Sequence, residues 1–166
     1  MTFYENLLQF ASDCGLTVHE EVDLGNGSAD REHHLLGLCV ADQIGLAKEL
    51  ETDADKSCIL AEEICHSLYT VGNILNQDEV ISRQRERKDR IRSYDLLFGV
   101  EGIAKAIMHG CSNTYEMAEY LGVNENTLSE AIDLYESKYG MRIEFPDYDL
   151  YFEPCLMVVK RKEKEL

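Results

Sequence analysis

The sequence predicts an α+β domain organised around one helix near residue 60. Apolar residues recur at helical spacing over residues 2–14, 54–68 and 114–139, while short β-prone runs bounded by glycine and polar breaks stand at 16–22, 35–50 and 141–152. No apolar run approaches the length of a membrane span, and a chain of 166 residues that is 45% hydrophobic has enough apolar surface for one ordinary core. The expected organisation is a single domain over 1–166: an N-terminal helix, small sheet and motif helix (1–77), a helical part (78–140), and a short hairpin with a polar tail (141–166).

The elements follow in order. Phe3, Leu7, Phe10, Ala11 and Cys14 share one helical face, and Gly15 stands where a C-terminal glycine ends a helix. Leu16 to Val22 reads as a strand, and Asp23 to Asp30 as a glycine-rich loop. His33 and His34 follow that loop. Adjacent histidines suggest a metal, but no partner ligand stands at a defined spacing, so a solvated loop end is the preferred reading. Leu35–Val40 and Ile44–Leu50 flank a polar break and read as a β-hairpin, whose edge offers backbone hydrogen bonds to an extended peptide.

The central helix spans Lys56 to Gln77, capped by Thr52 or Asp53, with Asp53 and Asp55 suited to the positive end of its dipole. Ala54, Cys58, Ala61, Cys65 and Leu68 form an apolar stripe that Ile59, Leu60 and Ile64 widen. Within it lies Ala61-Glu62-Glu63-Ile64-Cys65-His66. Carboxylates in so apolar a helix need counter-charges, protonation or a metal, because desolvating an unpaired charge costs several kcal/mol. Glu62 and His66 stand four positions apart, one helical turn. The spacing is that of the metallopeptidase pattern His-Glu-x-x-His, with Glu62 in the place of the first His. Zinc accepts imidazole nitrogen and carboxylate oxygen. Glu62 and His66 then supply two ligands and Glu63 a general base, with a third ligand drawn from elsewhere. The alternative is a buried helix whose acids meet arginines.

The next helix, Asp78 to Phe98, serves both readings. It carries Arg83, Arg85, Arg87, Lys88, Arg90 and Arg92, six of the chain's 16 basic residues. These form either a solvated face laced with pairs such as Glu86 with Arg90, or the surroundings of Glu86 as the third ligand.

A net charge of −16 disfavours nucleic acid over most of the surface and suits a basic protein partner. The six cysteines include no CxxC pair and fit buried thiols in a reducing compartment. The opening residues form an amphipathic helix with early acids rather than a secretion signal, so a cytoplasmic location is expected.

Four blocks give the chain a family likeness: CILAEEICHSLYTVGNILNQ at 58–77, SRQRERKDRIRSYDLLFG at 82–99, HGCSNTYEMAEYLGV at 109–123, and AIDLYESKYG with the later YFEP. Together they resemble the ImmA/IrrE metallo-endopeptidases, in particular those of mobile elements and phages of Gram-positive bacteria, and the likeness covers most of the chain after about residue 35. It implies a compact zincin-like fold, with a small antiparallel sheet on the motif helix and a helical C-terminal part. It also implies a Zn2+-dependent site-specific endopeptidase that cleaves a helix-turn-helix transcriptional repressor. Carried over by position, Glu63 is the general base, and Glu62, His66 and Glu86 hold the metal. Two carboxylates and one imidazole neutralise the 2+ charge of zinc and weaken its power to acidify water, so proteolysis would be slow or conditional. Cys65 replaces the glycine usual before the last motif histidine and is expected to be buried and inert. The alternative is a catalytically weak or inactive peptidase fold that senses or sequesters a protein partner.

Thr114–Leu121, a turn at Gly122-Val123 and Glu125–Tyr139 form a helix-turn-helix unit. Its second helix carries Glu125, Glu130, Asp133 and Glu136 with no Lys or Arg through Ser137, so phosphate contact is disfavoured and partner docking or packing is expected. Met141–Phe145 and Tyr148–Phe152 pair across Pro146-Asp147.

Overall fold

The computed structural model describes residues 2–25, 34–69 and 79–161, the side chains of 79–82 excepted. They divide into two compact units, meeting in sequence at Leu97 and Phe98. None of the described helices is long and apolar enough to cross a membrane.

The first unit opens with α1 (Phe3–Asp13). Thr2 and Glu5 close a reciprocal capping box, satisfying two N–H groups that the first turn otherwise leaves open. Tyr4, Leu7 and Ala11 form its buried face, and Gly15 leaves it with φ of 79°. Strand β1 (Thr17–Val22) follows. β2 (Gly37–Val40) and β3 (Gln43–Ala47) then form the expected hairpin, turned through Ala41 at φ of 56°.

The sheet order is β1-β3-β2. This corrects the expectation of a purely antiparallel sheet: β3 pairs antiparallel with β2 but parallel with β1. The reason is burial. Ile44, Leu46 and Ala47 are the most buried residues of this sheet and take the central position, and the hairpin that delivers β3 there leaves it running in the direction of β1. A hairpin signal carries no information about that second neighbour.

Helix α2 (Asp53–Tyr69) packs across β2 and β3 and against α1 and α3 (Glu79–Leu97). Thr52 starts it, its hydroxyl oxygen accepting the Asp55 N–H at 3.1 Å. Leu60, Ala61 and Ile64 are fully buried; each Leu or Ile so buried contributes about 1.5–3 kcal/mol. Residues 70–77 of the expected central helix lie outside the described residues. Although the sequence groups α3 with the helical part, it packs in the first unit.

The second unit contains α4 (Gly99–His109), α5 (Thr114–Leu121), α6 (Glu125–Tyr139) and an antiparallel sheet of β4 (Arg142–Glu144), β5 (Tyr148–Tyr151) and β6 (Met157–Lys160). The helix-turn-helix pair has the expected bounds. Asn113 and Asn124 cap its helices, and Gly122 supplies the left-handed turn at φ of 70°. Leu128, Ala131 and Tyr135 face its core, as does Leu150 of β5. The chain is therefore α+β, with six helices and two small sheets among the described residues.

Candidate active site at the edge of the first sheet

Ile59, Glu62, Glu63 and His66 follow at i, i+3, i+4 and i+7, which puts them along one side of α2. That side meets β2, whose first residue is a buried glycine. A β-carbon on Gly37 would lie 2.6 Å from Ile59 Cγ2 and 2.8 Å from both Cγ and Oε1 of Glu63. Only glycine lets the helix bring the Glu63 carboxylate this close to the strand.

Strand β2 is an edge strand, with no described strand beyond it. Its two-residue turn and the Ala47 N–H to Leu36 carbonyl bond fix the alternation: residues 36, 38 and 40 bond to β3, while Gly37 and Cys39 turn their backbone groups to the open side. There the Cys39 N–H donates to the Glu63 carboxylate. Glu63 thus sits at the open edge of the sheet. Burial pushes its carboxyl above the usual carboxylate range, Glu62 adds to the shift, and His66 and the Cys39 N–H oppose it. A half-buried carboxyl group whose pKa is raised, beside an open edge, is suited to taking and giving protons.

His66 lies between two acids. Its Nε2 is 4.0 Å from Glu62 Oε1, and its Nδ1 is 3.9 Å from Asp89 Oδ2 of α3. Asp89 is also held by Arg92 at 2.9 Å, and the Arg92 guanidinium lies 4.4 Å from the ring centre of Tyr69. Of the four residues singled out in the sequence, α2 brings Glu62, Glu63 and His66 together. Glu86 lies exposed on α3, one turn before Asp89, and the acids that flank His66 are Glu62 and Asp89.

The sequence reading missed Asp89. Its signal was the i,i+3 spacing from Glu86 and to Arg92, which the density of arginines concealed. His34 is exposed, and His33 lies outside the described residues.

An imidazole nitrogen and a carboxylate oxygen are donors that zinc accepts. Two donors bound at about 2.0–2.2 Å to a tetrahedral ion lie roughly 3.4 Å apart, so Glu62 and His66 at 4.0 Å are within a small rotamer adjustment of bracketing one. Among the described residues no group of three or more His, Cys, Asp and Glu is close enough to hold a metal ion. Cys65 is buried and its thiol is pushed up to about 11, first by desolvation. It lies about 100° around the helix from His66, lining a hollow of about 300 Å3 with Phe10, Leu68 and Arg92. After desolvation, the Asp89 and Glu62 carboxylates also push the thiol up and Arg92 opposes them, so Cys65 borders the candidate site as a buried, protonated thiol.

No protein-family model matches the chain, and neither a curated protein nor a solved structure does so.

Proposed function

We propose that the protein is a zinc-dependent, site-specific endopeptidase of zincin-like fold whose substrate is a helix-turn-helix repressor. The observation that carries this reading is the Glu63 carboxylate, raised by burial and held at the open edge of β2 beside Glu62 and His66. Glu62 and His66 would hold the metal; Glu86, the third ligand that the resemblance implies, is not brought to them in the described structure. When bound, zinc supplies a Lewis acid that activates water and polarises the scissile carbonyl.

The chain's own residues supply the remaining requirements. The Gly37 backbone groups and the Cys39 carbonyl offer edge hydrogen bonds that align an extended peptide segment with the sheet, the Cys39 N–H being held by Glu63. Glu63 takes a proton from the attacking water and passes it to the leaving amine, a task for which a carboxyl group raised above the usual carboxylate range is better matched than an ordinary one. The choice of a DNA-binding repressor as substrate rests on the resemblance of the four sequence blocks, and the net charge of −16 suits a basic partner.

A second reading, a peptidase fold that binds a partner without cutting it, is favoured by the exposed apolar face of β2. Leu38 is 42% and Val40 61% exposed. Metal analysis together with co-expression of a neighbouring repressor decides between the two. Stoichiometric zinc and repressor fragments that disappear with Glu63→Gln support the peptidase. Absence of both, with retained repressor binding, supports the binding module.

A further inference from the structure

We infer that Glu63 is a latch on the β2 edge: it holds the edge N–H that an incoming strand needs, so docking of an extended segment with alternating apolar and basic residues frees its carboxylate. The inference rests on the reading of β2 as the edge where a peptide docks, and it involves no metal.

The two edges of the first sheet are built differently. β1 carries His19, Glu20 and Glu21, and its register slips between His19 and Val22, around Glu21 at φ of 56°. Charge and a bulge are means by which a sheet blocks an added strand. β2 has neither: Gly37, Leu38, Cys39 and Val40 are uncharged and pair with β3 in unbroken register. Leu38 and Val40 stand exposed on its outer face. What closes this edge is a side chain from α2. The Cys39 N–H donates to Glu63, whose Oε1 lies 2.8 Å from where a β-carbon on Gly37 would stand.

An added strand bonds through the N–H and C=O groups that Gly37 and Cys39 turn outward. Among the described residues three of these four are open, and the fourth is the N–H that Glu63 holds. Full pairing therefore exchanges acceptors: a carbonyl of the segment takes the Cys39 N–H and the carboxylate leaves it. That bond is conserved while the other three are gained. Side chains of the added strand alternate between its faces. Those on the Leu38 and Val40 side meet apolar surface. Those on the α2 side meet Glu62 and Glu63, neighbours whose charges repel. Basic residues relieve that repulsion, and acidic ones would add to it.

Two acetylated, amidated hexapeptides serve as probes, one alternating Val and Lys, the other Val and Glu. In the metal-free full chain, hydrogen exchange of the Cys39 amide, read by NMR, should speed by about 10-fold or more in Glu63→Ala. Glu63→Gln keeps an oxygen for the N–H and should stay nearer the unsubstituted chain. The Val/Lys peptide should restore protection in Glu63→Ala and bind it about 10-fold or more tightly than the unsubstituted chain, because no carboxylate competes. Losing one exposed attraction to Lys offsets this only in part, and Glu62→Gln, which leaves the latch intact, should weaken the same peptide by about 2–5-fold. Cys39 exchange indifferent to Glu63→Ala, a Val/Lys affinity that this variant leaves unchanged or lowers, or equal binding of the two peptides overturns the inference. So does self-association of Glu63→Ala in sedimentation, which would make a second copy the occupant of the edge. If the latch behaves as expected but the zinc-loaded chain cleaves no repressor, the peptidase reading fails and the latch stands.

Discussion

Glu63 occupies the space that a side chain on Gly37 would need: a β-carbon there would stand 2.8 Å from Glu63 Oε1 and 2.6 Å from Ile59 Cγ2. Gly37→Ala therefore forces a choice. Ile59 is β-branched and stiff, so the longer Glu63 side chain gives way and loses the Cys39 N–H. Overpacking of this kind costs about 1–3 kcal/mol, which denaturant unfolding will measure. Repressor cleavage should fall further than that loss of stability explains, because the displaced group is the proposed base.

Glu63→Gln separates chemistry from structure. The amide keeps the shape of the side chain and an oxygen for the Cys39 N–H but carries no charge. General acid–base catalysis contributes about 10²–10⁴-fold, so cleavage should drop by at least about 10²-fold. Stability should move the other way. Burial raises the Glu63 carboxyl in the folded chain, so the native state binds its proton more tightly and folding loses free energy as pH rises past the ordinary carboxylate range. The variant escapes that loss. Its melting temperature should be equal or higher at pH 7, with the difference closing below about pH 4.

Much of this site was legible in sequence because a helix of known phase fixes which residues share a side. The i,i+4 spacing of Glu62 and His66 was enough to bring them together. What sequence could not supply was the partner across space. Asp89 and Glu86 stand one turn apart on α3 amid six basic residues, and periodicity on so polar a helix does not say which acid turns inward. The role of Gly37 was hidden for the same reason, since it depends on how closely α2 approaches β2. In the second unit the helix-turn-helix bounds were legible from capping asparagines and a turn glycine. Helix α4 and strand β6 were passed over. Ile103, Ala104 and Ala106 do carry a helical face, but they follow a Phe98-Gly99 break that offers no capping side-chain hydrogen bond. β6 is a four-residue run without a tight turn before it.

Glu20 links three elements of the first unit: it accepts from the Tyr4 hydroxyl of α1 at 3.0 Å and from Lys56 of α2 at 2.9 Å. The Lys56 bond, reinforced by Tyr4, holds its carboxyl below the usual range. A depressed carboxylate contributes stability above its unfolded value, about 4.3, and loses it as pH falls through the lower folded value. Lys56, raised by the same contact, contributes below the ordinary lysine range and loses that contribution as pH climbs through its folded value. Both groups are partly exposed, so the pair is worth about 0.2–1 kcal/mol. Urea unfolding followed between pH 5 and 3 should show a shallower acid decline for Glu20→Gln than for the unsubstituted chain, whereas identical slopes would refute the linkage.

The open edge of β2 yields a prediction about binding rather than chemistry. Leu38 and Val40 point away from α2, on the side opposite Gly37 and Cys39, and both are exposed. Lysine at these positions removes apolar contact area and places charge on an edge, the means by which sheets ordinarily discourage an added strand. Because neither residue supports the core, Leu38→Lys and Val40→Lys should change stability by no more than about 0.5 kcal/mol. Their effect on the peptidase should fall on KM, with kcat retained, since they touch the docked segment and not Glu63. Steady-state kinetics on a repressor-derived peptide reads the split. A loss confined to kcat would mean that the segment docks elsewhere and that the apolar face of β2 serves another purpose.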